Sequence, residues 1–278
     1  KSLDAQIAKI QKGIAAKNAR TTANPNLETS DDRSLACNNV TKSNALSRAY
    51  YRFSIVEKRI MEAVISRLHP MRSDNELQEI TLTATEYATT YDVAKNHAYS
   101  DLSRATDGLM GKVLSTQEGP YLVKTTLMIQ AKYHQNEGYV ACTLNPLIVP
   151  HLIGMRAKFS SYPLSKALNF KSSYTWRFYE LLVSWAQPKS DTGGLFCGWF
   201  DVGTNELRSM LGVPDSYKYG MFKKTVIDKV TNELLEKADI ALKLIPKKTG
   251  RRITSYTVTF AENEQQQLPL NGGESQKN

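Results

Sequence analysis

Apolar residues in this chain recur at helical spacing in some stretches and alternate in others, and the order of those stretches repeats. Val56, Ile60, Ala63 and Val64 line one face of a helix predicted over about 54–68, and a short strand follows at 80–82. Glu86 to Val93 reads EYATTYDV, and a helix is predicted behind it over about 95–113 with Ala98, Leu102, Ala105 and Leu109 inward. Two strands come next, 122–134 and 139–144, joined by the turn Asn136-Glu137-Gly138. The second half repeats the order. A helix over about 174–187 carries Phe178, Leu181, Leu182 and Trp185 on one face, and a strand follows near 196–202. Then comes ELRSMLGV, from Glu206 to Val213. A helix over about 219–238 buries Phe222, Val226, Val230 and Leu234, and strands 240–245 and 253–260 are joined by Lys247-Lys248-Thr249-Gly250.

The two octapeptides share Glu first, a large apolar residue second, a hydroxyl fourth, a large apolar residue sixth, a turn residue seventh and Val last, at an offset of 120 residues. A repeated supersecondary order argues a duplicated domain. Within each copy a short helix, a tight turn at Asp92 or Gly212 and a second helix make a helix-turn-helix, and the hairpin behind it makes a wing. Thr83-x-x-Glu86 reads as a capping box opening the first copy. The expected fold is therefore α+β, with two tandem winged-helix domains at 37–155 and 156–260. Residues 1–36 read as a short basic amphipathic helix (Leu3, Ile7, Ile10 and Ile14 on one face) and a polar linker, and 261–278 as a disordered Gln/Asn/Gly-rich tail.

Charge narrows the function. Thirty-six Lys and Arg face 27 Asp and Glu, a net +9 and a pI near 9.3, which favours polyanions and nucleic acid above all. Cys37, Cys142 and Cys197 form no CxxC pair, so neither a zinc site nor a disulfide framework is signalled, and a reducing cytoplasm is expected. No apolar run approaches a membrane span and the N-terminus has no apolar signal core, so neither membrane insertion nor export is expected. Neither GxxxxGK[ST] nor GxSxG occurs, and His69, His97, His134 and His151 include no H-x-H pair. No catalytic residue, cofactor or metal site is therefore assigned.

The candidate surfaces lie on the second helix of each copy. In the first, Asn96, Tyr99, Ser100 and Ser103 offer amide and hydroxyl groups to base edges, with Lys95 and Arg104 toward phosphate. In the second, Lys218, Tyr219, Lys223 and Lys224 occupy the N-terminal part that enters a major groove. Lys247, Lys248, Arg251 and Arg252 crowd the hairpin tip, where a wing meets the backbone, and phosphate contacts there supply affinity and register rather than sequence choice. Between the halves, Arg156, Lys158, Lys166 and Lys171 alternate with Phe159, Tyr162 and Phe170. Of these, Lys158 and Lys171 are assigned to phosphate and the aromatics to core anchoring.

Several segments resemble the iteron-binding plasmid replication initiators of the Rep-3 type. They are Val40-Thr41-Lys42-Ser43-Asn44-Ala45-Leu46 with Glu57-Lys58-Arg59, then Leu144-Asn145-Pro146-Leu147-Ile148-Val149-Pro150 and Ile153-Gly154. Tyr174-x-x-Arg177-Phe178-Tyr179-Glu180-Leu181-Leu182 follows, then Phe222-Lys223-Lys224, Asn232-Glu233-Leu234 and Lys248-Thr249-Gly250-Arg251-Arg252. The resemblance covers roughly 40–260. It implies tandem winged helices in major grooves of one origin repeat, with Lys223 and Lys224 as base readers. It also implies monomers that activate the origin, a homodimer in equilibrium with them that represses the protein's own gene, and recruitment of a host replication initiator and helicase. Gln265-x-x-Leu268-Pro269-Leu270 resembles bacterial sliding-clamp-binding peptides. A tandem winged-helix repressor without an initiation role and a DNA-nicking enzyme are the alternatives in view.

Overall fold

Ser54 and Glu57 start the first long helix by exchanging hydrogen bonds. The Glu57 amide donates to Ser54 Oγ at 3.2 Å and the Ser54 amide to Glu57 Oε2 at 2.7 Å, a complete capping box. The computed structural model of the protein describes residues 34–68, 77–153, 159–189, 191–192 and 194–262. The expected helix over 1–20, most of the linker, Arg156, Lys158, and Gln265, Leu268 and Leu270 in the tail lie outside those residues.

The first half runs β1 (Asn39–Ser43), α1 (Asn44–Arg48), α2 (Ile55–Ser66), β2 (Glu79–Thr83), α3 (Ala84–Tyr91), α4 (Lys95–Met110), β3 (Val113–Glu118), β4 (Tyr121–Thr126), β5 (Met128–His134) and β6 (Tyr139–Leu144). β2, β6 and β5 form one antiparallel sheet in that order, while β3 pairs with β4 and, through Ser115, bridges Tyr50. The single strand expected over 122–134 is thus two. The chain breaks at Leu127, which is buried and whose amide turns to the Lys112 carbonyl at 3.3 Å. The helix expected to reach 113 stops at Met110, and β3 takes up the residues beyond it.

β7 (Phe159–Pro163) returns to pair with β1, so the chain crosses back to its first strand after residue 155. The second half then runs α5 (Ser173–Trp185), β8 (Cys197–Gly203) and α6 (Thr204–Met210). A long helix follows in three consecutive parts, α7 (Tyr219–Phe222), a π-helical turn (Lys223–Asp228) and α8 (Lys229–Ala238). β9 (Ile240–Thr249) and β10 (Arg252–Glu262) close it, with β10 in the middle of a β8-β10-β9 sheet. Lys247, Lys248 and Thr249, expected in a loop, belong to β9, leaving a tight turn at Gly250-Arg251. Gly250 has φ +62°, the left-handed region in which glycine carries no side-chain penalty. Each half is a winged helix. Leu35 also packs into the core, and Glu262 donates its amide to the Phe196 carbonyl at 2.9 Å, so ordered chain extends slightly past the expected limits of linker and tail.

The duplication is legible in the backbone. Asp92 and Gly212, the seventh residues of the two octapeptides, both have positive φ, +51° and +65°. The following valines close the same six-to-one bond, Val93 to Ala88 at 3.0 Å and Val213 to Arg208 at 2.9 Å. Each bond satisfies a carbonyl left over at a helix C-terminus. The expected capping box at Thr83 is only half made. Thr83 Oγ1 accepts from the Glu86 amide at 3.1 Å, while the Glu86 carboxylate is taken by Arg67, whose charged fork is the stronger partner.

A buried ion network joins the halves. Lys42 of β1, Lys58 and Glu62 of α2, and Arg177 and Glu180 of α5 are each no more than 3% exposed. Lys42 Nζ lies 2.5 Å from Glu62 Oε1 and 2.6 Å from Glu180 Oε1, and Lys58 Nζ lies 2.6 and 2.7 Å from the same two atoms. Arg177 bonds Glu180 at 2.9 Å and the Tyr51 hydroxyl, and its other nitrogen spans the Ala49 carbonyl at 3.0 Å and the Met210 carbonyl at 2.9 Å. Phe170 and Tyr162, expected as core anchors, are buried, and Tyr162 accepts from Trp176 Nε1 at 2.8 Å. One guanidinium therefore ties the first half to the end of α6. Gly212 adds a second tie, because a Cβ built on it would lie 2.7 Å from the Tyr51 carbonyl oxygen.

Candidate nucleic-acid interface

α4 presents the expected polar face. Its apolar positions Ala98, Leu102, Ala105 and Leu109 are buried, which leaves Lys95, Asn96, Ser100 and Arg104 exposed and Tyr99 and Ser103 half-buried. Tyr99 packs partly against the core. Ser100 donates its hydroxyl to the His97 carbonyl at 2.9 Å, which leaves its oxygen lone pairs to accept. Arg104 is engaged by Asp101 at 2.8 Å, three residues away, with its side chain 79% exposed. The α4 N-cap, Ala94, makes no side-chain capping bond. The first turn of α4 therefore faces outward with amide donors, one amide side chain and one lysine.

The second long helix is anchored by Phe222, Val226, Val230 and Leu234, all fully buried. Lys218, Tyr219, Lys223 and Lys224 are exposed on its opposite side. The Tyr256 hydroxyl of β10 is pushed above its ordinary range by burial and then by the neighbouring Tyr219 hydroxyl. The N-terminus of the helix therefore lies beside the wing sheet. Lys223 pairs with Asp228 across the π turn at 3.0 Å. Lys224 makes no ion pair among the described residues.

The two wings are unequal, and strand register shows why. In the first half the last β2–β6 pair is Thr83 with Tyr139, directly after the hairpin turn, so the turn ends level with its third strand. The Gly138 carbonyl accepts from the Ala84 amide at 2.7 Å, which fastens the turn to the start of α3. Its tip carries His134 and Glu137, and Lys132 just below is neutralised by Glu79 at 2.5 Å. In the second half the last β8–β10 pair is Gly203 with Ser255, yet β9 and β10 continue past it through Lys248 with Ile253 and Thr249 with Arg252. Lys248, Arg251 and Arg252 project there, exposed and without an ion pair among the described residues. Lys247 is level with Ser255 and is held by Asp201 at 2.9 Å. The Thr257 hydroxyl and Lys247 together hold the Asp201 carboxyl below its usual range. Unpaired positive charge is thus concentrated on the projecting second wing.

Two recognition helices, each behind a left-handed turn of the same geometry and each followed by a hairpin, are the parts of a tandem DNA reader. Residues 39–183 match the family described as "Initiator Replication protein, WH1", and residues 204–260 the one described as "Initiator Rep protein, WH2". The chain belongs to the Rep3-type plasmid replication initiator family. A replication initiation protein of Escherichia coli is 24% identical to this initiator over 239 residues, 83% of this chain and 71% of that protein. The crystal structure of Pi initiator protein in complex with iteron DNA superposes with a TM-score of 0.66 at 19% identity, covering 82% of this chain and 99% of that one. That second likeness is one of fold.

Lys171, assigned to phosphate, is exposed at the start of α5, and its amide donates to Glu233 near the far end of α8 from Lys223. The initiator's buried network escaped the sequence reading. Its only signal was Lys58 four residues before Glu62, and Arg177 three before Glu180, within otherwise apolar helices. Among the described residues no group of three His, Cys, Asp or Glu side chains is placed to hold a metal ion, and no helix is long and apolar enough to cross a membrane.

Proposed function

We propose that this protein initiates plasmid replication by binding origin repeats in double-stranded DNA, one recognition helix to each of two neighbouring major grooves. The observation that carries the reading is the duplicated helix-turn-helix with matched left-handed turns, held in one body by Arg177 and backed by a projecting basic wing. Membership of the initiator family supports it, as does the fold shared with an initiator solved on iteron DNA. Asn96, Tyr99, Ser100 and Ser103 would read bases in one groove, and Lys218, Tyr219, Lys223 and Lys224 in the other. Lys95, Arg104, Lys171, Lys248, Arg251 and Arg252 would hold phosphates, with Lys247 tied to Asp201 in the free protein. The role is non-enzymatic and cytoplasmic, strand opening coming from binding energy and from a recruited host initiator and helicase. A homodimer would repress the protein's own gene, and the tail at Gln265, Leu268 and Leu270 would dock on the sliding clamp.

A footprint of the full chain on the DNA flanking its own gene tests the reading. Protection of several direct repeats of roughly 20 base pairs beside an A·T-rich tract is expected, because two heads about one helical turn apart span that length. Protection without sequence preference would overturn it. Clamp docking is tested by pull-down, which should be lost on combining Leu268→Ala with Leu270→Ala.

A further inference from the structure

The two adjacent lysines of the second recognition helix are not equivalent. Lys223 and Asp228 are five residues apart, and in an α-helix of 3.6 residues per turn such residues point about 140° apart and do not meet. Here the backbone is π-helical over just that span, Lys223–Asp228, and i→i+5 bonding brings positions five apart onto one side. Lys223 Nζ lies 3.0 Å from Asp228 Oδ1 and 3.1 Å from Oδ2, with side-chain exposures of 56% and 46%. An ion pair that open to solvent contributes little to folding. Its consequence is for the field the helix presents: Lys224 offers a free ammonium, Lys223 one already neutralised.

Resting on the proposed reading of this helix as a DNA reader, we infer that Asp228 is a specificity-determining positioning residue that holds Lys223 away from phosphate. Attraction to phosphate supplies essentially all non-specific binding, so a lysine that must first leave a carboxylate adds little to it. The same ammonium has three donors, and the carboxylate occupies at most two of them. One donor remains for an acceptor on a guanine edge, reached without breaking the pair. The π turn therefore converts a general cation into a directed hydrogen-bond donor, and the penalty falls on non-cognate DNA.

The test compares full-length wild type, Asp228→Asn, Lys223→Ala and the double variant. The probes are a duplex enriched by the wild type from a random pool and a scramble of it, titrated by fluorescence anisotropy from 50 to 200 mM salt. Asp228→Asn is expected to raise affinity for the scramble about fivefold and to steepen its log–log salt slope by about 0.9, one added phosphate contact. Affinity for the enriched duplex should change less than twofold, so the specificity ratio falls. In the Lys223→Ala background Asp228→Asn should leave the slope unchanged. An equal rise on both duplexes, an unchanged scramble affinity, or the same change without Lys223 would overturn the inference while leaving the DNA-reading function standing. A wild type that enriches no duplex would instead remove the function on which the inference rests.

Discussion

Replacing Gly212 by alanine asks whether the two winged helices touch where α6 ends. Two costs combine. At φ +65° an L-residue is disfavoured by about 1–2 kcal/mol. The new Cβ would also lie 2.7 Å from the Tyr51 carbonyl oxygen, 3.1 Å from Arg52 Cβ and 3.3 Å from Arg52 Cα, two of these being backbone atoms that a rotamer change cannot clear. Crowding of that kind costs about 1–3 kcal/mol. Gly250 is the internal control: its φ is +62°, but a Cβ there meets nothing within 4 Å. Alanine also stiffens the unfolded chain by about 0.4–1 kcal/mol at either position, which cancels in the comparison. Gly212→Ala should therefore destabilise by about 1–3 kcal/mol more than Gly250→Ala, a further drop of several degrees in Tm at about 2–4 °C per kcal/mol for a chain of this size. Urea melts and thermal scans of the two variants read this directly. Equal losses would mean that the Tyr51 carbonyl does not press on Gly212, and the packing of the halves described above would be wrong.

Lys224→Ala should cost about 1–3 kcal/mol on the enriched duplex and relax preference at one base position, read by binding to single-base variants. An equal loss on all sequences would reassign Lys224 to phosphate. Lys248→Ala should weaken every sequence similarly and flatten the salt slope by about 0.9, whereas an unchanged slope would remove the wing from the phosphate contacts. Stability should also depend on alkaline pH through the buried network. Burial pushes Lys58 down to about 8 from 10.5, Lys42 and Arg177 adding to the effect while Glu180 and Glu62 oppose it. From pH 8 to about 9 the unfolded chain holds the Lys58 proton that the folded one has lost, so stability should rise over that interval. Above about pH 9 the Cys142 thiol, and above pH 10 the Tyr51 and Tyr162 hydroxyls, all raised mainly by burial, together with Lys42 held by Glu180 and Glu62, stay protonated in the folded state and reverse the trend. Denaturant melts across pH 7–11 should show the rise, and Lys58→Met should abolish it.

The features that local chemistry fixes were readable from the chain. Asp92 and Gly212 are residue types that tolerate the left-handed region, and the apolar spacing of α4 and of the helix after Lys218 fits their buried faces. The β3–β4 hairpin was missed although Gly119-Pro120 marks its turn. Residues 122–134 contain no Gly or Pro to mark a break, and only the packing of the Leu127 side chain and its bond to Lys112 reveal one. The ion network was illegible for a related reason. Lys58 and Glu62, four apart, read as a solvent-facing helix pair, and α5 arriving from more than a hundred residues away is what buries them. The π turn has no residue signature, so the Lys223–Asp228 pair was invisible at an α-helical spacing. Of the candidate DNA contacts, exposure followed from periodicity, but which cations are free and which are already paired did not.

That last distinction changes how the two halves divide their labour. Counting lysines and arginines makes both recognition units look basic, but Arg104, Lys132, Lys223 and Lys247 each face a carboxylate within 3.0 Å. The unpaired cations are grouped mainly on the second half, on Lys224 and on a wing that outruns its neighbouring strand. On the proposed reading the second winged helix would therefore supply most of the salt-dependent affinity, and the first, with amides, hydroxyls and a short acidic-tipped wing, would contribute chiefly shape and base contacts. A weak first head gains from such a partner only if the link between them is stiff, because a flexible link spreads it over many positions and lowers its effective concentration at the neighbouring groove. Arg177, spanning the Ala49 and Met210 carbonyls inside a buried network, provides that stiffness. On the same proposed reading the buried charges, which cost desolvation and add little net stability compared with apolar packing, have a physical role: their directed bonds would fix the angle at which an electrostatically strong head delivers a weaker, more selective one.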